Sequence, residues 1–317
     1  MINDISEIVA ESAANDLRPI MLDVSIIIVN YNTKKLVINC IESIINQTLN
    51  LTFEIIVVDN ASIDGSPQLI KSTYPQVILI ESKTNLGFGR ANNLGVTKAQ
   101  GKYLFFLNSD TILLNNAILA LLNFNEKNSA ILNIGISGGI LLDENKLETG
   151  SFGPLPTKAR TLKSILGLLP RFDKMNATEH LHFQTNGYLK VGYITGADLF
   201  ISNSIFKNIG GFDPNIFMYF EETDLQLRLK NANYCNCVIS GTQIIHLEGA
   251  SLNQMNANNR KRLIYTKSMF YYFKKHSKLI NFLIFKILFL TIRLTAIFYF
   301  KYTWKEKKEY ILQIIKS

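Results

Sequence analysis

Four short apolar runs, separated by segments of helical period, decide most of what this chain can fold into. Val24–Val29 (VSIIIV), Phe53–Val58 (FEIIVV), Val77–Glu81 and Tyr103–Leu107 (YLFFL) are rich in β-branched and aromatic residues and show little alternation. Strands of that kind are apolar on both faces, as in a parallel sheet covered by helices on each side. The intervals supply those helices. Lys34–Asn46 sets Leu36, Val37, Cys40, Ile41 and Ile44 on one side, Ser66-Pro67 opens a second helix, and Gly89–Ala99 reads as a third. The pattern predicts an α/β fold with a doubly wound, mainly parallel sheet.

In such sheets ligands gather at the carboxyl ends of the strands. The polar clusters Asn30–Asn32, Asp59–Ser62 and Asn108–Asp110 all fall there. Any one of them is ordinary turn chemistry; three along one edge point to a nucleotide site. Asn108 and Asp110 stand two residues apart just past a strand end, where their oxygens can hold Mg²⁺ or Mn²⁺ against a diphosphate. Gly87-Phe88-Gly89 is not a dinucleotide fingerprint, because it lacks the third glycine and does not follow the first strand. Cys235-x-Cys237 has no second ligand pair at zinc spacing and reads as strand packing.

A second chemical cluster lies at Glu221, Glu222 and Asp224, in the first turn of a helix marked by Leu225, Leu229 and Ala232. The helix dipole favours acidic residues there. Three in four positions exceed what one helix end needs, and neighbouring carboxylates raise each other's pKa, which suits a general base. Arg228, one turn on, is spaced to neutralise Asp224. His246 closes the apolar run Ile244-Ile245 and can return to the same edge as a nitrogen ligand. Between residues 150 and 192 the periodicity is weak. That stretch is either a surface excursion with a small apolar anchor at Ile165–Pro170 or a mobile acceptor-side loop.

At 317 residues, 47% hydrophobic and 18% charged, the chain is long and apolar enough for a sizeable core and is not disordered. Three cysteines are too few for a disulfide scaffold and suit a reducing cytosol. The net charge of +8 is unevenly held. From Arg260 onward there are 14 Lys/Arg and two Asp/Glu, a charge of +12; the first 259 residues carry 19 and 23, a charge of −4. An acidic body argues against nucleic acid as a partner. Met1–Asp23 has no long apolar run and does not read as a secretory signal, so the expected approach to any membrane is cytoplasmic.

VSIIIVNYN, VVDNAS, NLGFGRANNLG, LFFLNSD, TGADLF, GGFDPNIFMYFEETDLQLRL and IIHLEG follow in the order found in family 2 glycosyltransferases. Over about Val24 to Gly249 the chain resembles that family, and within it the rhamnosyltransferase-like branch that builds bacterial surface polysaccharides such as O-antigen. A weaker echo falls on Tyr271–His276. The resemblance implies a glycosyltransferase-A fold, inversion at the anomeric carbon, a nucleoside-diphosphate sugar donor (dTDP-rhamnose or a UDP-sugar) and a divalent metal, Mg²⁺ or Mn²⁺. By motif it implies that Val29 and Tyr31 line the base and ribose pocket. Asp59 would accept from the N3–H of uracil or thymine, Arg90 would reach the base or diphosphate, and Ser109 would join the donor site. Asp110 would be the main metal ligand, with Asn108 and His246 beside it, and Glu222 the general base, with Glu221 as its substitute. Two positions depart from the family pattern: Asn108 stands where many relatives have Asp, and Glu222 where Asp is commoner.

The sequence divides into an N-terminal extension (1–23), a catalytic domain (24–257) and a basic helical tail (258–317). Leu279–Phe300 is 22 residues long, enough to span a bilayer, but Lys286 and Arg293 interrupt it on one helical face. Lysines on either flank suit an anionic leaflet, so the expected arrangement is a helix lying in the membrane plane at the cytoplasmic face of the inner (plasma) membrane. A helix packed on the body or on a second copy of the chain, as a homodimer, is the alternative. A processive synthase is disfavoured by the absence of a Gln-x-x-Arg-Trp motif, and a sugar nucleotidyltransferase by the absence of a glycine-rich phosphate loop at Asn30–Lys35. The remaining rival is a non-catalytic nucleotide-sugar-binding subunit, against which Glu221, Glu222, Asp110 and His246 all speak. The expected reaction is transfer of the donor sugar to a hydroxyl of a lipid-linked or surface glycan acceptor.

Overall fold

The computed structural model describes residues 22–169, 183, 185–247, 257–294 and 303–316. The first half follows the expected alternation. β1 (Val24–Asn30), α1 (Lys34–Gln47), β2 (Phe53–Asp59), α2 (Ser66–Thr73), β3 (Ile78–Glu81), α3 (Phe88–Val96) and β4 (Tyr103–Asn108) come in strict succession. The register runs parallel from β3 through β2 and β1 to β4. β1 is buried almost throughout, because α1 seats Val37, Cys40, Ile41 and Ile44 on one face while α3 covers the other.

The second half departs from pure alternation. β5 (Thr111–Leu113), α4 (Ala117–Leu132), β6 (Ile134–Leu142), β7 (Phe152–Gly153) and α5 (Lys158–Ile165) are followed by β8 (Tyr188–Val191), β9 (Tyr193–Ile194) and β10 (Asp198–Ser202). Then come α6 (Asn203–Asn208), α7 (Glu221–Asn231), β11 (Cys235–His246), α8 (Ala257–Lys275), α9 (Leu279–Leu294) and α10 (Trp304–Lys316). Among the described residues the main sheet runs β3-β2-β1-β4-β10-β6-β11-β5, with β8 beside β11 and a separate β7–β9 ribbon. β10 is antiparallel to both β4 and β6, while β11 returns parallel to β6. The sheet is therefore mainly parallel where the sequence pattern is strongest, and mixed beyond β4.

This order fixes the position of the crevice. From β1 the chain moves outward to β2 and β3, then returns to the other side of β1 as β4. The reversal leaves a switch point between the carboxyl ends of β1 and β4, where ligands bind in open α/β sheets.

In the weakly periodic middle the apolar contact lies earlier than the expected Ile165–Pro170: Leu162 and Ile165 of α5 pack against a third cluster formed by α8, α9, α10 and Phe220, while Leu166 and Leu168 are exposed. Pro170 and Glu248-Gly249 lie outside the described residues, as does the end of the Leu279–Phe300 run from 295 onward. The basic tail begins as α8, which packs directly on the body through Phe220.

Candidate active site

The β1 end is organised by Asn30, which is fully buried. Its amide nitrogen lies 2.8 Å from Asp59 Oδ1, 2.7 Å from Ser66 Oγ and 3.1 Å from Ser62 Oγ, and its carbonyl oxygen accepts from Thr33 Oγ1 at 2.7 Å. Asp59, 2% exposed at the end of β2, also accepts from the Ser62 N–H at 2.9 Å. Val29 and Tyr31 flank Asn30 and remain partly exposed at the crevice. Across it, the hydroxyls of Thr33 and Ser109 share a 3.1 Å hydrogen bond, so the β1 and β4 ends are tied at the switch point.

Arg90 lies exposed on the first turn of α3, its Nε donating to the Leu86 carbonyl at 2.8 Å. The asparagines of NLGFGRANN hold this helix in place. Asn60 donates to Asn85 Oδ1 and the Gly87 carbonyl and accepts from the Leu86 N–H, while Asn93 exchanges two hydrogen bonds with the Phe212 backbone. Gly87 is required between them. Its φ of +81° lies in the left-handed region, and a Cβ there would run into the Phe217 carbonyl, which accepts from the Phe88 N–H.

The β4 end meets the last strand. β5 turns back to pair with β11, Thr111 opposite His246, and this register brings the imidazole to Asp110. His246 Nε2 is 3.3 Å from Asp110 Oδ1 and 3.3 Å from the Asn108 amide. One carboxylate, one imidazole and one amide thus converge. Asp110 and His246, with Asn108 beside them, are the oxygen and nitrogen donors that would hold a divalent cation and let it supply positive charge to a phosphate. Among the described residues no group of three or more His, Cys, Asp or Glu side chains is assembled for a metal.

Sequence reasoning missed Asp198, in the TGADLF segment. It is fully buried at the start of β10; its Oδ2 accepts from the Gly139 N–H at 2.6 Å and its Oδ1 has no partner among the described residues. Burial pushes its pKa to about 8, against the pull of the Gly139 N–H and His246.

The other wall is α7. Its three acidic residues diverge. Glu221 is 4% exposed, and burial and then the charge of Glu222 push its pKa well above the usual carboxylate range. Glu222 is partly exposed, and its Oε1 accepts from Tyr193 OH at 2.9 Å. Burial raises the Glu222 pKa, and the Tyr193 hydrogen bond works against that rise. Tyr193 is aligned in turn by Gln226, which exchanges hydrogen bonds with both backbone groups of Ile194. Asp224 turns away from this pair and accepts from Arg228 Nε at 2.8 Å, as the i,i+4 spacing predicts. Cys235 and Cys237 lie two apart on β11 with their sulfurs 3.9 Å apart.

An α/β sheet, parallel from β3 through β4, thus carries a carboxylate–imidazole pair at its β4 end and carboxyls of raised pKa on α7. The model for glycosyl transferase family 2 matches residues 25–184, the segment holding Asp59, Asn108 and Asp110. The chain belongs to that family. It is 26% identical over 218 residues to N-acetylglucosaminyl-diphospho-decaprenol L-rhamnosyltransferase of Mycobacterium tuberculosis, spanning 65% of this chain and 70% of the relative. It is 34% identical over 124 residues to poly(ribitol-phosphate) beta-glucosyltransferase of Bacillus spizizenii, a match that takes in 38% of this chain but only a fifth of that protein's length (20%). The solved structure of GalNAc-T7 with UDP, GalNAc and Mn²⁺ shares the fold with a TM-score of 0.57 at 16% identity, over 79% of this chain and 48% of the other.

Proposed function

We propose that the chain transfers a sugar from a nucleoside-diphosphate donor, dTDP-rhamnose or a UDP-sugar, to a hydroxyl of a lipid-linked or surface glycan, with inversion. The observation that carries this reading is the placing of Asn108, Asp110 and His246 at the β4 end near the Tyr193-held Glu222 of α7: Glu222 lies against Gly196, and the next residue, Ala197, accepts from the Asn108 N–H. In it Asp110 and His246, with Asn108, hold Mg²⁺ or Mn²⁺, which supplies positive charge where the diphosphate leaves. Val29, Tyr31, Asp59, Arg90 and Ser109 receive the nucleotide. Glu222 takes the proton of the acceptor hydroxyl as its oxygen attacks C1 and the bond from C1 to the diphosphate oxygen breaks. Glu221, more deeply buried beside it, is pushed well above the usual carboxylate range by burial and by the charge of Glu222.

Residues 24–257 form the transferase domain in this reading, and 258–317 a tail that meets an anionic membrane at its cytoplasmic face. No helix among the described residues is long and apolar enough to cross a membrane. On α9, Phe282, Phe285 and Phe289 are buried, whereas Ile280, Ile284 and Ile287 on the opposite side are 63%, 52% and 64% exposed. Lys286, whose Nζ donates to the Ile315 carbonyl, and Arg293, over the Phe289 ring, lie toward the packed side, and the exposed face opposite, along Ile280, Ile284 and Ile287, is apolar apart from Thr291.

A panel of nucleotide sugars tests the donor assignment by protection against thermal unfolding. A UDP- or dTDP-sugar raises Tm in the presence of Mn²⁺, and less so after His246→Ala. Equal protection by an ATP or NAD control, or none by any sugar nucleotide, contradicts it.

A further inference from the structure

The segment leading into the candidate base is held in an unfavourable backbone conformation. Tyr219 (φ +66°) and Phe220 (φ +71°) both occupy the left-handed region, immediately before Glu221-Glu222. Bulky side chains avoid that region, and such conformations persist where their surroundings over-determine them. Here the surroundings come from α8, some 40 to 60 residues further along the chain. Phe220 is ringed by Tyr265, Tyr272 and Phe273, with centroids 5.2, 5.4 and 6.4 Å away, and Ser268 Oγ donates to the Met218 carbonyl at 2.8 Å.

The end of α8 then closes on both flanks of the same segment. Lys275 Nζ lies 2.6 Å from Asp213 Oδ2 and 2.7 Å from Asp224 Oδ1, and His276 Nε2 lies 2.7 Å from the same Asp224 oxygen. Tyr271 OH donates to Asp213 Oδ2 at 3.1 Å. Asp224 is fully buried one turn into α7 and meets Arg228 on its other oxygen. Arg228 in turn donates to the carbonyls of Ile209 and Gly211, at 2.6 Å each. A buried carboxylate held by two cations, Lys275 and Arg228, and by the His276 imidazole is fixed in position, because losing either cation leaves its charge poorly compensated. The network encloses residues 209–224, and Glu222 stands within it.

We infer that α8 positions the general base: Lys275 and His276 clamp Asp224 and Asp213, and so fix the first turn of α7 and the strained Tyr219–Phe220 entry from which Glu222 projects. The inference rests on Glu222 being the base, and it makes the start of the basic tail part of the catalytic unit. Lys275 and His276 are positioning residues; neither touches the crevice. Around Glu222 itself, Tyr193 donates to its Oε1, its charge raises the pKa of Glu221, and Tyr265 of α8 acts electrostatically on Tyr193.

The test uses the full chain with Lys275→Met, which keeps the apolar stem and removes the cation, and Lys275→Arg, which restores it. Two quantities are read: amide hydrogen exchange, and nucleotide release from UDP-glucose or dTDP-L-rhamnose with Mn²⁺. In Lys275→Met the amides of residues 219–224 lose protection while those of β1 and β4 do not. Nucleotide release slows by about 10- to 100-fold in kcat at a donor KM within about two-fold, as expected of a displaced reacting group. Its acid limb moves to lower pH as water reaches Glu222, and Lys275→Arg restores all three. Unchanged exchange at 219–224, or a folded Lys275→Met with the wild-type kcat, overturns the clamp. If Lys275→Met does not fold, Tyr271→Phe and His276→Gln, each removing one contact, are held to the same exchange criterion. If the wild type releases nucleotide no faster than Glu222→Gln, the reading of the base fails instead, and the exchange result still decides the clamp.

Discussion

The chemistry assigned to Glu222 depends on its being uncharged too easily and yet ionised when it acts. Burial raises its pKa above the ordinary glutamate value, and Tyr193 OH, 2.9 Å from Oε1, stabilises the ionised form. A general base works deprotonated, so kcat falls as pH drops through that raised pKa. Tyr193→Phe removes the donor that favours the charge. The pKa then rises further, and the acid limb of the kcat profile moves to higher pH, opposite to the shift expected for Lys275→Met. A pH profile of nucleotide release on the two variants checks the sign; an unmoved limb in Tyr193→Phe removes Tyr193 from the assignment. At neighbouring Asp213, burial would raise the pKa, but Lys275 and Asn215 hold it down at about 2. Its folded value lies below its unfolded one, so its contribution to stability is present above about pH 4 and is lost as the pH falls through about 2.

At the level of elements, β1 to β4 and their helices are legible in the sequence because each is specified locally. VSIIIV and YLFFL read as buried strands and form them, and the polar clusters that close them are visible in the sequence at the strands' carboxyl ends. What stays illegible is set by long-range partners. Asn30, Asn93, Gln226 and Tyr193 are single polar side chains with no pattern around them, and the Asn93–Phe212 pair closes over 119 residues. Tyr271–His276 is visible as a motif, yet its role needs α8 to be seen against Asp213 and Asp224. The strand order beyond β4 is hidden for the same reason: β10 is inserted antiparallel between β4 and β6, a choice made by tertiary packing. The opposition of Asp110 and His246 is half legible, since both close strands, but only the β5–β11 register places them side by side.

For the whole molecule, the +12 of the last 58 residues has two destinations. Lys275 turns inward onto Asp213 and Asp224, while Lys274 and Lys278 stay exposed beside the apolar strip of α9. In the membrane-bound arrangement proposed above, an anionic leaflet would meet both the strip and its charges, each basic residue near the surface adding about 1 kcal/mol. The triple variant Ile280→Asp/Ile284→Asp/Ile287→Asp is expected to lose co-sedimentation with phosphatidylglycerol-rich vesicles while keeping its turnover of a soluble donor. Binding that survives the substitutions, or that is equal on pure phosphatidylcholine vesicles, contradicts the membrane assignment. A strip that instead mediates self-association shows as a concentration-dependent dimer that the same variant abolishes.

The central claim is that Glu222 removes the acceptor's proton in a metal-assisted sugar transfer. Glu222→Gln, assayed for nucleotide release and for donor affinity on the same preparation, reads it most directly. Turnover falls by about 10²- to 10⁴-fold, donor affinity stays at the wild-type value, and the variant melts no lower at neutral pH because a buried charge has been removed. Donor binding lost with turnover retained, or turnover unchanged, would contradict the account.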